Sequence, residues 1–306
     1  MSDAQAAPAR GRQAGQALRR GLSTSAVKWI ALFFMTLDHI AAFGFEIPIV
    51  ARYYNPLRLV GRIAAPLFLF ALVQGLRHTR SRPKFLLRLY LAGMGAGLFV
   101  AVTDLLFGEI VGYITPGNIM FTFFYVALYA WAIEGLAKAV RERSWRGALS
   151  MAACCVLPFL AQPLRLALWE LPRMEDGPAV VFLAHNLIDS FLPTLESVDY
   201  GGGMVFLGVV LYFAETKRRQ CGVFAAFCLV CVAGAAAGRF YYPIQDFSPF
   251  TMTFFDPFQC WMALALPVML LYNGQRGSGP KWFFYVYYPI HRYAISVISA
   301  AVQALS

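Results

Sequence analysis

Charge is what this sequence has least of. Only 14% of its 306 residues are Asp, Glu, Lys or Arg, against roughly 25% in a soluble globular domain. With 59% hydrophobic residues and a mean hydropathy of +0.58, that scarcity excludes an ordinary water-soluble fold. Short segments of alternating polarity are absent too, which argues against a membrane β-barrel. The six cysteines (Cys154, Cys155, Cys221, Cys228, Cys231 and Cys260) lie in apolar runs without metal-ligand spacing. They read as inert buried thiols, and no metal site is expected. No internal repeat is visible, which weighs against a transporter built from inverted repeats.

Acidic residues are scarcer than basic ones, 16 against 26, leaving a net charge of +10. Such a balance can signal nucleic-acid binding. Here the basic residues fall in short loops at alternate ends of the apolar runs, which is the positive-inside pattern, and no nucleic-acid partner is expected. Residues 1–24 begin with an Ala-, Arg-, Gln- and Gly-rich stretch that lacks aromatic residues and the proportions of a cleaved signal. They predict a disordered cytosolic tail.

What the chain does have is apolar runs of about 20 residues, the length a bilayer requires. Residues 25–306 therefore predict an all-α, multi-pass membrane domain of about nine helices (eight to ten) with the N-terminus cytosolic. The expected spans are Val27–Phe45, Leu57–Leu76, Phe85–Phe107, Asn118–Ala139, Gly147–Leu168, Met204–Glu215, Cys221–Gly238, Asp256–Tyr272 and Trp282–Val302. Ala179–Leu195 holds His185, Asn186 and Asp189 and reads as a peripheral or re-entrant helix. Gly93, Gly95 and Gly97 suit close helix packing in the third span.

The first span carries Asp38 and His39 in its middle. Ionisable groups at that depth are costly and face a bundle interior or a wet cavity. His39 lies eleven residues past Lys28, roughly 16 Å along a helix, and His291 lies ten past Lys281, roughly 15 Å. Two of the four histidines thus fall at matching depth. Eleven residues also return Lys28 and His39 to nearly one helix face, whereas the adjacent Asp38 and His39 diverge by about 100°. Asp38 is therefore expected to pair with a cation from another helix. Arg58 and Arg62, one turn apart on one face of the second span, are the candidates; Arg62 can reach inward towards Asp38, while Arg58 is also grouped with the cations available to a cofactor or snorkels to the interface.

At the cytosolic ends, Arg77, His78, Arg80, Arg82, Lys84 and Arg88 cluster between spans two and three. The loop NGQRGSGPK adds Asn273, Arg276, Lys281 and backbone made accessible by glycine. Together with Lys28 these can cradle the phosphates of an anionic cofactor. Taken singly, each is equally well a topology-setting charge beside anionic lipid.

KWIALFFMTLDHI, LRLVGRIAAPLFLFALVQGLRHTR, KFLLRLYL, NIMFTF, YNGQRG and KWFFYVYYPIH together make the chain similar to the TraX family, membrane proteins linked to N-acetylation of conjugative pilin. The likeness runs from Val27 to about Tyr293, and departs from the family mainly in Trp169–Gly203 and Arg239–Phe255. TraX resembles a wider group of transmembrane acyltransferases, several of which place a basic residue, ten intervening residues and a catalytic histidine in their first span. Lys28 and His39 match that spacing, with Lys in place of the commoner Arg.

The resemblance implies an acetyltransferase of the inner membrane. It would move acetyl from cytosolic acetyl-CoA to an amine or hydroxyl of an envelope-side acceptor such as a pilin, a glycan or a lipid. His39 or His291 would act as general base, and Arg62 with Asn118 or His291 would stabilise the oxyanion. Two other readings stay open from the residues alone. One is a proton-coupled transporter with Asp38, His39 and His291 as relay groups; the other is a scaffold subunit in which neither histidine matters.

Overall fold

The computed structural model describes residues 21–114, 117–171, 177–195, 197–241, 259–280 and 282–305. The tail to residue 20, Lys281, most of the 239–255 loop and the start of the expected span at 256 lie outside them. All regular structure in the described residues is helical, apart from one parallel bridge between Leu22 and Tyr272.

The elements in chain order are α1 (Thr24–Phe43), α2 (Pro48–Arg52), α3 (Tyr54–Gly61), α4 (Ala64–Arg77), α5 (Arg82–Val111), α6 (Ile119–Arg141), α7 (Trp145–Trp169) and α8 (Pro178–Phe191). There follow α9 (Gly201–Phe213), α10 (Lys217–Tyr241), a 3-10 turn (Gln259–Ala265) leading into α11 (Leu266–Leu270), and α12 (Phe283–Leu305). Among the described residues six helices are long and apolar enough to cross a membrane: α1, the joined α3–α4, α5, α6, α7 and α10. The protein is thus a multi-pass helical membrane protein.

The other expected spans take different forms. α9 has 13 residues, about 20 Å, short of the hydrocarbon thickness of about 30 Å; α8, expected as a peripheral or re-entrant helix, has 14 and is equally short. The segment before Tyr272 is a 3-10 turn and a five-residue helix. α12 has 23 residues, but its buried side is polar, with His291, Arg292, Ser296 and Ser299.

Local chemistry sets the boundaries. Ser23 caps α1 by accepting from the Ala26 N–H at 3.2 Å, and Asn118 caps α6 by accepting from the Met120 N–H at 3.0 Å; both satisfy amides that a helix start leaves open. The expected second span is broken at Arg62–Ile63. Pro66 explains the break: it has no N–H for the Arg62 carbonyl, and its ring crowds that carbonyl.

α4 is the centre of the bundle, with 11 of its 14 residues buried, among them Leu67, Leu69 and Phe70. Phe121 of α6 and Phe224 of α10 are fully buried in the same core. Between membrane helices close contact depends on small residues. Gly93 faces the Phe121 ring and Gly97 faces Ser190 of α8, whereas Gly95 faces open space and takes no part in packing.

Candidate functional site

The last helix returns to the first. Thr36 and Tyr287 join their hydroxyls at 2.7 Å, and one turn further along His39 Nδ1 lies 2.5 Å from His291 Nε2. His291 Nδ1 lies 2.7 Å from the Tyr287 carbonyl oxygen. A carbonyl only accepts, so His291 carries its proton on Nδ1 and, when neutral, offers a lone pair at Nε2. His39 then donates through Nδ1, and its own Nε2 is left bare. In this arrangement His39 is the ring able to take a proton, and His291 is the ring that orients it and steadies the resulting imidazolium.

Asp38 turns away from both histidines. Its Oδ2 accepts from Arg58 at 2.8 Å in a pair that is largely buried. The other candidate, Arg62, places its guanidinium over the Tyr200 ring, 5.9 Å from the centroid, with its charge still felt by Asp38. The reason is Gly61. Added there, a Cβ would lie 2.3 Å from Asp38 Cβ, so α3 meets α1 at this glycine. Arg58, three residues before, shares its face, while Arg62 follows it into the kink and lies over Tyr200. Arg58 consequently belongs to the Asp38 end of the bundle and stands away from any cofactor mouth near Lys28.

A second carboxylate completes this end. The Tyr288 hydroxyl lies 2.9 Å from Asp199 Oδ2 and 3.2 Å from the Gly117 carbonyl, and accepts from the Ile119 N–H at 3.2 Å. Arg292 donates to the same Gly117 carbonyl at 3.1 Å. Burial pushes the Asp199 carboxyl up from its ordinary range, and Arg292 and Tyr288 pull it partly back. Tyr200 is held in the left-handed region at φ 62°. Burial, then the Asp38 charge, push its phenol up to about 12, so it stays a neutral donor. Asn118 spends its amide on the Gly93 carbonyl at 2.8 Å and its oxygen on the helix cap. Its place in the site is structural.

Below the histidines runs a cavity of about 810 Å³, within the range of small-molecule and cofactor sites. On α1 its wall is Ser25, Lys28, Leu32 and Met35; on α12 it is Phe284, Tyr285 and Tyr288. His39 continues the first stripe by four residues and His291 continues the second by three, so both rings stand one helical turn beyond the inner end. The opposite end is basic, with Lys28, His78, Arg88 and Arg276, and among the described residues its wall contains no Asp or Glu.

The glycine-rich loop forms one lip of that mouth. Thr24 and Ser25 donate their backbone N–H groups to the carbonyls of Gln275 (2.8 Å) and Arg276 (3.1 Å). Gly277 at φ +69° would bring a Cβ within 2.3 Å of Ser23 Oγ, so only glycine fits there. Asn273 shapes the turn by bonding to Gly21 and Gln275 and does not line the cavity. Arg77 is also absent from the wall: it donates to the carbonyls of Tyr212, Ala214 and Glu215 at the end of α9. Arg80 is exposed outside the mouth.

Residues 23–299 match the family described as TraX protein. The chain belongs to the TraX family. A stretch of 100 residues is also 34% identical to the "Probable fimbrial assembly protein FimC, serogroup H1" of Dichelobacter nodosus, covering 31% of this chain and 40% of that relative. The match therefore spans about two fifths of the relative's length. No solved structure matches the chain.

In this TraX chain several site residues escaped the sequence reading. Tyr288 and Arg292 were within reach, since they sit three residues before and one after His291 and pack into the same buried face. Asp199 and Tyr200 carried no such signal, because they lie in an irregular segment before α9, where no periodicity orders side chains.

Proposed function

We propose that this TraX-family protein is a membrane-integral acetyltransferase that draws acetyl-CoA from the cytosol and acetylates an amine or hydroxyl on the envelope side. One observation carries the reading. A long cavity, basic at its mouth and without carboxylates among the described residues of its wall, ends one helical turn from two hydrogen-bonded histidines. A ligand with phosphates at one end and a reactive group at the other fits that shape. Lys28, His78, Arg88 and Arg276 would hold the phosphates, and the apolar middle would take the arm.

In the reaction His39 Nε2 removes the proton of the acceptor as its nitrogen or oxygen attacks the thioester carbonyl. His291 Nε2 accepts from the His39 Nδ1–H and stabilises the cation that forms, the role a carboxylate plays in serine hydrolases. Arg62 and Arg292 supply positive charge for the oxyanion in a site of low dielectric. The carbon–sulfur bond then breaks, and the imidazolium returns its proton to the CoA thiolate. The relay reading loses its first link, since Asp38 bonds to Arg58 rather than to a histidine.

We place the cationic mouth in the cytosol, with the N-terminus on that side and the protein in the inner membrane, in keeping with positive-inside charge. A nine-span topology stays part of the proposal, with α9 and the 259–272 segment as incomplete crossings, α12 as the last span and α8 as a peripheral or re-entrant helix. The fimbrial title of the matched relative favours a pilin-like acceptor; glycan and lipid acceptors fit the same chemistry. The test is thiol release from acetyl-CoA by purified protein, with CoA-induced thermal stabilisation measured in parallel. Full activity in both His39→Ala and His291→Ala would sink the mechanism, and no stabilisation by CoA would sink the donor.

A further inference from the structure

One amide interrupts the apolar part of the cavity wall. Gln74 of α4 lines the cavity and is 8% exposed, with Ala71 and Leu72 as apolar wall on the turn before it. Its Nε2 donates to Gln220 Oε1 of α10 at 2.9 Å, and Gln220 Nε2 donates in turn to the Leu211 carbonyl at 3.1 Å. That carbonyl fixes the direction of the whole chain. It only accepts, so Gln220 turns its NH2 group towards Leu211 and its oxygen towards Gln74. Gln74 answers with its own NH2 group, and its Oε1 is the atom left over. No described residue donates to this oxygen, and it is not sealed within the protein. An acceptor is thus held from behind and presented to the cavity.

A ligand that fills the cavity displaces the water that would serve this oxygen. It must bring a donor of its own or strand a buried acceptor. Gln74 stands four residues before His78, about 6 Å inward of the basic mouth. In a CoA thioester the phosphates are followed by a short branched carbon unit and then by the amide groups of the pantetheine arm. A phospholipid acyl donor also joins phosphate to an acyl ester, but the stretch between them has no N–H. From this placement, and resting on the acyl-transfer reading above, we infer that Gln74 Oε1 accepts from an amide N–H of the donor's pantetheine arm. Gln74 thereby selects a CoA thioester over an acyl phospholipid, at a mouth whose basic groups would take the phosphates of either. Gln220, which is not among the wall residues, is the positioning residue that keeps the amide turned this way.

The experiment uses the full-length protein in lipid nanodiscs and titrates it with CoA and with a CoA analogue whose arm amides are replaced by esters. Wild type should bind CoA about tenfold or more tightly than the ester analogue, the worth of a hydrogen bond to an otherwise stranded partner. Gln74→Leu should reduce that ratio of Kd values about tenfold, whatever it does to affinity as a whole, because the analogue has no N–H left to lose. Gln220→Leu should shrink the ratio too, since it frees the Gln74 NH2 group to turn into the cavity. A tie that only joins α4 to α10 would lower Tm in these variants and leave the ratio alone. If Gln74→Leu fails to fold, Gln74→Leu with Gln220→Leu, which removes both partners together, carries the same expectation. A wild-type ratio near one, or a ratio kept when Gln74 is replaced, overturns the inference. Absence of CoA binding in the wild type would defeat the acyl-transfer reading itself; CoA binding that is indifferent to the ester replacement defeats only the role of Gln74.

Discussion

Gly61→Ala adds one methyl group where α3 touches α1. The new Cβ would lie 2.3 Å from Asp38 Cβ and 2.8 Å from Asp38 Cα, whereas ordinary contact begins at 3.4 Å. Neither atom belongs to a side chain that can swing aside, so the two helices must separate by about 1 Å. Overpacking of this kind costs about 1–3 kcal/mol. The same displacement stretches the 2.8 Å pair between Arg58 and Asp38 beyond hydrogen-bonding range and shifts the helix that carries His39. Misplacing a reacting group by 1 Å costs about a hundredfold in rate. Thiol release from acetyl-CoA should therefore fall about a hundredfold, with the apparent Tm lowered and the CoA concentration for half-maximal stabilisation unchanged, because the cationic mouth lies at the other end of α1. Gly95→Ala, which meets open space, is the matched control and should leave both quantities as they are. A Gly61→Ala protein with full turnover and an unshifted Tm would refute the account of how Asp38 is held.

Three further outcomes follow from the same geometry. His39→Gln should abolish turnover by a factor of about 10²–10⁴ while stabilisation by CoA persists; His291→Gln should leave more activity, since it removes the orienting ring and spares the base, and equal losses in the two would count against the assigned tautomers. Lys28→Met and Arg276→Met should each weaken CoA binding by about tenfold or more, the worth of a charged hydrogen bond, whereas Arg80→Met, outside the cavity, should not move it in an equilibrium titration. Asp38→Ala leaves Arg58 buried without its carboxylate and should destabilise the protein by about 3–5 kcal/mol, read as a lowered melting temperature; Arg58→Met with Asp38→Leu should restore much of that loss.

Helical periodicity explains what could be read in advance. His39 and His291 are each counted from a basic residue at a helix end, and a 1.5 Å rise carries both to the same level without knowledge of the fold. Lys28 and His39 share a stripe for the same reason, and the cavity wall follows it. The partner of Asp38 was legible only as one of two, because a chain drawn as one straight span places Arg58 and Arg62 alike on its face. Only the break caused by Pro66, together with the contact at Gly61, separates them. Asn118 turned out to hold a structural post that the sequence did not show, because the amide that makes asparagine a plausible oxyanion donor also makes it a good helix cap. Hydropathy reads how apolar a segment is, not how far it extends, so α9 resembled a full crossing until its ends were fixed. Arg77 likewise counted as a free cation until the carbonyls at the end of α9 claimed it.

The partners of Asp38 and His39 stand at very different distances along the chain, and this bears on how the protein is made. Arg58 follows Asp38 by 20 residues, and His291 follows His39 by 252. At a synthesis rate of about 5–20 residues per second, the carboxylate waits about 1–4 seconds for its cation and the imidazole about 13–50 seconds for its mate. A bare carboxylate in a bilayer is expensive, while a neutral imidazole is far less so. The group that tolerates waiting least is served first. The mouth of the cavity obeys the late schedule as well, since its lip joins residues 22–25 to residues 271–278. Neither the lip of the cavity nor the histidine pair exists until the final helix arrives, so on the proposed mechanism an unfinished chain cannot turn over a donor.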